Sequence, residues 1–158
     1  MYQYDGIIKI RNGTGASIFI AQPKLKLYVS YMNWRLNLAL TCSQNSSGKF
    51  YDAPDKDKEI LPRDLDGTEI KDKEAFLVYV CGRDKEPAGT EGTIDLEDID
   101  DERITTLYWD VPLGSSKNTF SVAGNRSKYI VAADGYNRTG TGLGTADVEV
   151  TKKPTTDG

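Results

Sequence analysis

The sequence predicts an all-β protein, an antiparallel β-sandwich of about ten short strands. Strict alternation of apolar and polar residues is the first sign: Leu25, Leu27, Val29 and Tyr31 share one face of the run 24–31, and Leu36, Leu38 and Leu40 do the same in 35–40. Period-2 alternation marks strands with one buried face, as antiparallel sheets have. Helical periodicity is hard to find anywhere in the 158 residues. Turn residues (Gly, Asn, Asp, Pro) bound nearly every β-rich run, and each has a mechanism for reversing the chain.

Read in order, the expected strands cover 2–11, 17–20, 24–31, 34–42, 75–81, 92–96, 104–111, 119–124, 128–134 and 145–151. The Asn12-Gly13 pair in RNGTG is the strongest hairpin signal, since both residues tolerate the positive φ of a tight turn. Residues 52–74 are dense in charge and interrupted by Pro54 and Pro62, which predicts a solvated connection with one short strand at most. At most one short helix is expected. The glycine-rich segments 13–15 and 140–144 read as hairpin turns, since neither fits a phosphate-binding loop between a strand and a helix. No linker or repeat divides the chain, so one domain is expected over 1–151, with 152–158 as a loose tail.

Composition excludes several functions. A net charge of −4 gives no general electrostatic footprint for nucleic acid, and no strong attraction to an anionic membrane surface. No run of 18 or more apolar residues exists, and the first residues lack the basic and apolar regions of a secretory leader. The expectation is a soluble chain that leaves its cell, if it does, by a non-classical route. Cys42 and Cys81 form no CxxC pair, and two reduced structural thiols are favoured over a disulfide. Asn12, Asn45, Asn125 and Asn137 head N-x-S/T triplets, read here as turn chemistry.

Chemistry is missing too. The chain has no histidine, which removes Ser-His-Asp, Cys-His and HExxH sites. A carboxylate pair needs no histidine, but nothing singles one out among the 24 acidic residues. No enzymatic activity, cofactor or metal is expected. The run Asp95–Glu102 holds six acids in eight residues; it lacks the central Gly and closing Glu of a calcium loop and reads as a hairpin tip.

The motif residues resemble a known family, the aegerolysins, small β-sandwich proteins of fungi and bacteria. The segments that carry the likeness are Gly48-Lys49, Asp55-Lys56-Asp57, Cys81-Gly82-Arg83 and the run Gly89-Thr90-Glu91-Gly92-Thr93-Ile94-Asp95-Leu96. The most specific is Tyr108-Trp109-Asp110-Val111-Pro112-Leu113-Gly114-Ser115, followed by Asn118-Thr119. The likeness spans about residues 5 to 150. It implies a protein that recognises membrane lipids, often sphingolipids. It also implies a targeting role in a two-component, pore-forming toxin beside a larger chain of the membrane-attack-complex/perforin type. Some bacterial pairs of this kind kill insects. The rival reading is a glycan- or receptor-binding sandwich that forms no pore, because fold does not fix function.

The resemblance implies lipid contact through the turn Tyr108–Lys117, including Trp109, Leu113, Ser115 and Lys117. Successive strand residues point to opposite faces, so one of Tyr108 and Trp109 is expected inward, which one being open. Further contacts are implied at Asp5, at Ser47 and Lys49, and at Glu86, Ala88 and Glu91. Four of these positions depart from the family pattern: Asp5, Ser47 and Leu113 stand where members carry tryptophan, and Ala88 where they carry an acid. Losing three indoles removes apolar area with a polar handle and predicts weakened or retargeted binding. The chain is also longer than typical members by roughly twenty residues within 22–47. One reading has that segment present Tyr31 and Trp34 as a replacement contact surface; its alternation favours the other, a half-buried hairpin added to one sheet.

Overall fold

The computed structural model describes residues 5–29, 44–83, 89–114, 117–126 and 128–154. It is built almost wholly of strand, with one four-residue helix among the described residues. One sheet contains β1 (Gly6–Gly13), β5 (Lys49–Asp52), β6 (Asp55–Ile60), β8 (Ala75–Cys81), β12 (Tyr129–Tyr136) and β13 (Gly144–Lys152), in the order β12-β13-β1-β8-β5-β6. The second contains β2 (Ile18–Leu25), β7 (Glu69–Ile70), β9 (Thr90–Glu97), β10 (Arg103–Val111) and β11 (Thr119–Ala123), in the order β11-β10-β9-β2-β7. A separate ribbon joins β3 (Leu27–Val29) to β4 (Gln44–Ser46).

The alternation read from sequence is the alternation seen. In β9 the residues Thr90, Gly92, Ile94 and Leu96 are buried, and those between them are half-buried. Ile8 and Ile10 of β1, Val78 and Val80 of β8, Ala146, Val148 and Val150 of β13 face Ile94, Leu96, Leu107 and Trp109 of the other sheet in one core cluster. The acid run becomes the tip of the β9–β10 hairpin. Asp98 is buried there, and its Oδ1 accepts the backbone N–H groups of Asp100 and Glu102 at 2.9 and 3.0 Å.

Three expectations need correction. The Asn12-Gly13 pair makes no hairpin: β1 and β2 belong to different sheets, and the chain crosses between them here. Asn12 is instead a buried corner post. Its Nδ2 donates to the carbonyls of Ala16 and Ile70, both at 2.8 Å, and its Oδ1 accepts the Thr14 N–H at 3.0 Å. The sandwich is antiparallel as expected, apart from β1 and β13, which pair in parallel from Gly6↔Gly144 to Gly13↔Thr151. Parallel strands need a long crossover, and here the rest of the chain supplies it. Residues 52–74 contain all of β6, the helix α1 (Pro62–Leu65) and β7, rather than one strand at most. Pro62 opens the helix with its fixed φ, and Leu65 plugs it into the core. The run 24–31 breaks at Lys26 between β2 and β3. The expected strand at 34–42 and residue Cys42 lie outside the described residues. At the C-terminal end of β13, Lys152 pairs with Tyr129.

Candidate functional site

Strand directions gather the implied contact residues at one end of the sandwich. β1 begins there at Gly6, level with Val80 and Gly144 on either side. β5 begins there too, with Lys49 opposite Cys81 and Phe50 opposite Val80. In the second sheet β9 begins and β10 ends at the pair Thr90↔Val111. The two sheets meet at this end through the rings of Phe50 and Trp109, edge to face with centroids 5.8 Å apart. Asp5, Ser47–Lys49, Glu91 and residues 112–114 are therefore neighbours by topology, although they lie far apart in sequence.

Below the rim the packing is tight. Trp109 is 0% exposed, and its indole N–H donates to Thr90 Oγ1 at 3.0 Å. Its expected role as a lipid contact is thus corrected: the alternation sends Trp109 inward and Tyr108 outward. Gly48, at φ 79°, is pressed against the Cys81 carbonyl and the Thr90 side chain, where no Cβ fits. Gly89 lies so close to the Val111 carbonyl that a Cβ would collide with it. Ser47 and Lys49 are buried as well, Ser47 donating from Oγ to the Gly89 carbonyl at 3.3 Å. These two positions brace the end, and their expected surface role is likewise corrected.

Asn118 is the brace that the sequence does not announce by chemistry, although it sits in the quoted Asn118-Thr119 pair. It is 4% exposed, and its Nδ2 donates to the carbonyls of Asn137 and Gly142 at 3.0 and 3.1 Å. Residues 117–118, just before β11, are thereby tied to the β12–β13 connection. Asn118 N–H to the Arg138 carbonyl at 2.8 Å and a Lys117↔Thr139 bridge add to the tie. Thr90, which receives the indole, was also not singled out by sequence; its only signal is its place in Gly-Thr-Glu-Gly.

Above the braces the rim is exposed. Leu113 is 46% exposed, between Pro112 and a Gly114 at φ 71°. Lys117 is exposed beside it. Asp5 holds Lys56 at 3.0 Å, and its carbonyl accepts the Leu143 N–H at 2.7 Å. Ser115, Glu86, Ala88 and Trp34 fall outside the described residues.

On the outer face of the second sheet, Tyr108 donates its hydroxyl to Glu91 Oε2 at 2.9 Å, and Lys26 Nζ stands 3.4 Å from Glu91 Oε1. These residues line a cavity of about 310 Å³ with Lys24, Leu25, Gly92 and Thr93. Burial, with the Glu91 charge adding to it, pushes the nearby Asp110 carboxyl above its usual range, against the opposing pull of Lys26. Around the first sheet's end, burial drives the Tyr51 phenol up to about 12, with Cys81, Asp5 and Tyr79 acting the same way. Burial also raises the buried Cys81 thiol, against the pull of Lys49 and Lys56. No group of three metal-binding side chains occurs among the described residues. The arrangement offers a braced apolar tip and a largely apolar hollow edged by Glu91 and Lys26, which are means of binding.

Comparison with known proteins follows the same outline. The family described as Aegerolysin matches residues 33–153. Aegerolysin Aa-Pri1 of Cyclocybe aegerita is 37% identical over 110 residues, 68% of this chain and 76% of that protein. Ostreolysin A6 of Pleurotus ostreatus is 36% identical over 110 residues, covering 68% of this chain and 80% of its own. Asp-hemolysin of Aspergillus fumigatus is 37% identical over 113 residues, 70% of this chain and 81% of that protein. Among solved structures, IP-1A from Alcaligenes faecalis superposes with a TM-score of 0.74 at 27% identity, over 96% of this chain and 92% of its own. The RahU protein, solved with a TRIS molecule, gives 0.78 at 22% identity over 96% and 97%, which speaks for the fold.

Proposed function

This chain belongs to the aegerolysin family, and on that premise we propose that it is a membrane-lipid-recognising protein of the cytolysin type. It docks through the Leu113 end of the sandwich and recruits a larger perforin-type chain that makes the pore. One observation carries the reading: Leu113 stands 46% exposed on a turn whose base is locked by buried Trp109, Thr90 and Asn118. An apolar side chain on a rigid rim enters a bilayer interface without a large ordering cost. Lysis in the names of two relatives fits this, ostreolysin and Asp-hemolysin. Asp5 and Leu113, both standing where the family pattern has indoles, favour retargeted lipid binding, with sphingolipids as the first class to try.

The test is vesicle co-sedimentation across lipid compositions, with Leu113→Ala beside the unchanged chain. We expect binding to fall severalfold while the melting temperature is kept. The chain alone should release no dye at concentrations where it binds; release would overturn the need for a partner. A second reading has its own observation. The hollow between Tyr108, Glu91 and Lys26 joins an aromatic ring to charged groups, as glycan sites do, and a glycan array distinguishes the two readings.

A further inference from the structure

The two edges of the six-stranded sheet are unlike. β6 at one edge reads DKDKEI, five charges in six residues, and exposed charge blunts strand addition. β12 at the other reads YIVAADGY, with Asp134 its lone charge and no proline or lysine. Ile130 on that strand is 46% exposed, and among the described residues no strand pairs with its outer side.

Which main-chain groups face outward follows from one bond. The Lys153 N–H donates to the Lys128 carbonyl at 2.9 Å, so residue 128 directs its groups toward β13. Alternation directs Ile130, Ala132 and Asp134 the same way, leaving the N–H and C=O of Val131 and Ala133 on the open edge. The Tyr129 carbonyl faces outward too, while its N–H is used by the Arg126 carbonyl at 3.1 Å.

We propose that a second copy of this chain adds to the open edge of β12, antiparallel and related by a two-fold axis at Val131. In that register the two Val131 residues exchange reciprocal bonds, and each Ala133 N–H meets a Tyr129 carbonyl. Lys128 then lies opposite Asp134, twice, and Ile130 opposite Ala132, twice. Opposite charges directly across a ladder stabilise it. Centring the axis on Ala132 makes as many bonds but sets Ile130 against Asp134, so charge selects the first register. Lys128 Nζ now lies 3.7 Å from Asp98 and 3.6 Å from Glu102, with its side chain 46% exposed, so pairing exchanges these two long contacts for Asp134 of the second copy. Antiparallel pairing also points the two Leu113 ends in opposite directions. Such a dimer bridges two membranes rather than seating both ends on one, and this consequence alone rests on the proposed lipid role.

Analytical ultracentrifugation of the full chain from about 1 to 100 μM tests the pairing. We expect a monomer–dimer equilibrium within that range. Ala133→Pro removes only an N–H that faces the open edge. Asp134→Lys sets lysine against lysine. Each should weaken the dimer about tenfold or more, with its melting curve kept. An equimolar mixture of Asp134→Lys and Lys128→Glu should recover dimer, because only the mixed pair has opposite charges at both crossings. A chain that stays monomeric to the top of the range overturns the proposal. So does a dimer that neither substitution weakens, or a mixture that recovers none. Should Ala133→Pro unfold, the charge pair of variants decides alone, independently of any vesicle result.

Discussion

The two ends of this sandwich use the same device for different purposes. At the end away from Leu113, buried polar side chains close the surface itself. Asn12 holds the crossing from β1 to β2, and Asp98 ties the β9–β10 tip down, with Tyr129 donating its hydroxyl to Asp98 Oδ2 at 3.3 Å. Arg126 and Glu102 pair above it. At the Leu113 end, the corresponding locks (Thr90, Asn118 and the tight glycines) lie a layer lower, and an apolar tip rises above them. A closed end needs only to satisfy its backbone. On the proposed reading, the Leu113 end meets a membrane, and locks beneath the contact leave its side chain rigidly presented and not consumed by the fold.

Substitutions break this comparison in a graded way. The largest effect should come from Trp109→Ala, which empties the core under the rim and should cost about 3–5 kcal/mol. Denaturant unfolding should show it, and membrane binding should fail through loss of the fold. Next, Asn12→Ala at the closed end strands the carbonyl of Ile70 and the N–H of Thr14, at about 1–3 kcal/mol for the buried groups left unpaired. Vesicle binding should be unchanged once the protein is folded. The same stability loss with loss of binding would show that the ends are coupled.

Changing pH should separate the ends from opposite directions. Burial disfavours the Asp98 carboxylate, but the N–H groups of Glu102 and Asp100 and the Lys128 charge hold its pKa below the usual value. A depressed folded-state pKa gives stability that is present above the unfolded value, about 3.9, and lost as pH falls through the folded one. Acid should therefore loosen the closed end first. Tyr51, pushed up to about 12 chiefly by burial, works the other way at the Leu113 end. Its stabilisation is complete below the unfolded value of about 10 and fades as pH rises toward the folded one. Hydrogen exchange at low and at high pH would resolve which end opens, and opening of the Leu113 end in acid would contradict the assignment. The smallest effect on stability should come from Leu113→Trp, within about 0.5 kcal/mol for an exposed tip. It restores an indole to the rim, and vesicle binding should tighten.

Local pattern was enough for much of this. The β-class and most strands followed from alternation, because a half-buried strand must repeat every second residue whatever surrounds it. Arg103–Val111 and Ala75–Cys81 lie within a residue of where the pattern places them. The kinship followed from Tyr108-Trp109-Asp110 and its neighbours, which identify a family without any coordinates. What alternation leaves open is which face is inside. Swapping the faces leaves the pattern Tyr-Trp unchanged, and only the core formed with Phe50 and Thr90 sends Trp109 in and leaves Tyr108 to reach Glu91. Pairing partners are open in the same way. Asn12-Gly13 has the local chemistry of a hairpin, yet β1 is claimed by Ala75–Cys81 and by Gly144–Lys152, more than sixty residues away. Burial at Ser47 and Lys49 likewise arises from strands that meet only on folding. The sequence by itself determined what each segment is; the tertiary structure decided what each segment touches, because contact is a long-range choice made by the whole core at once.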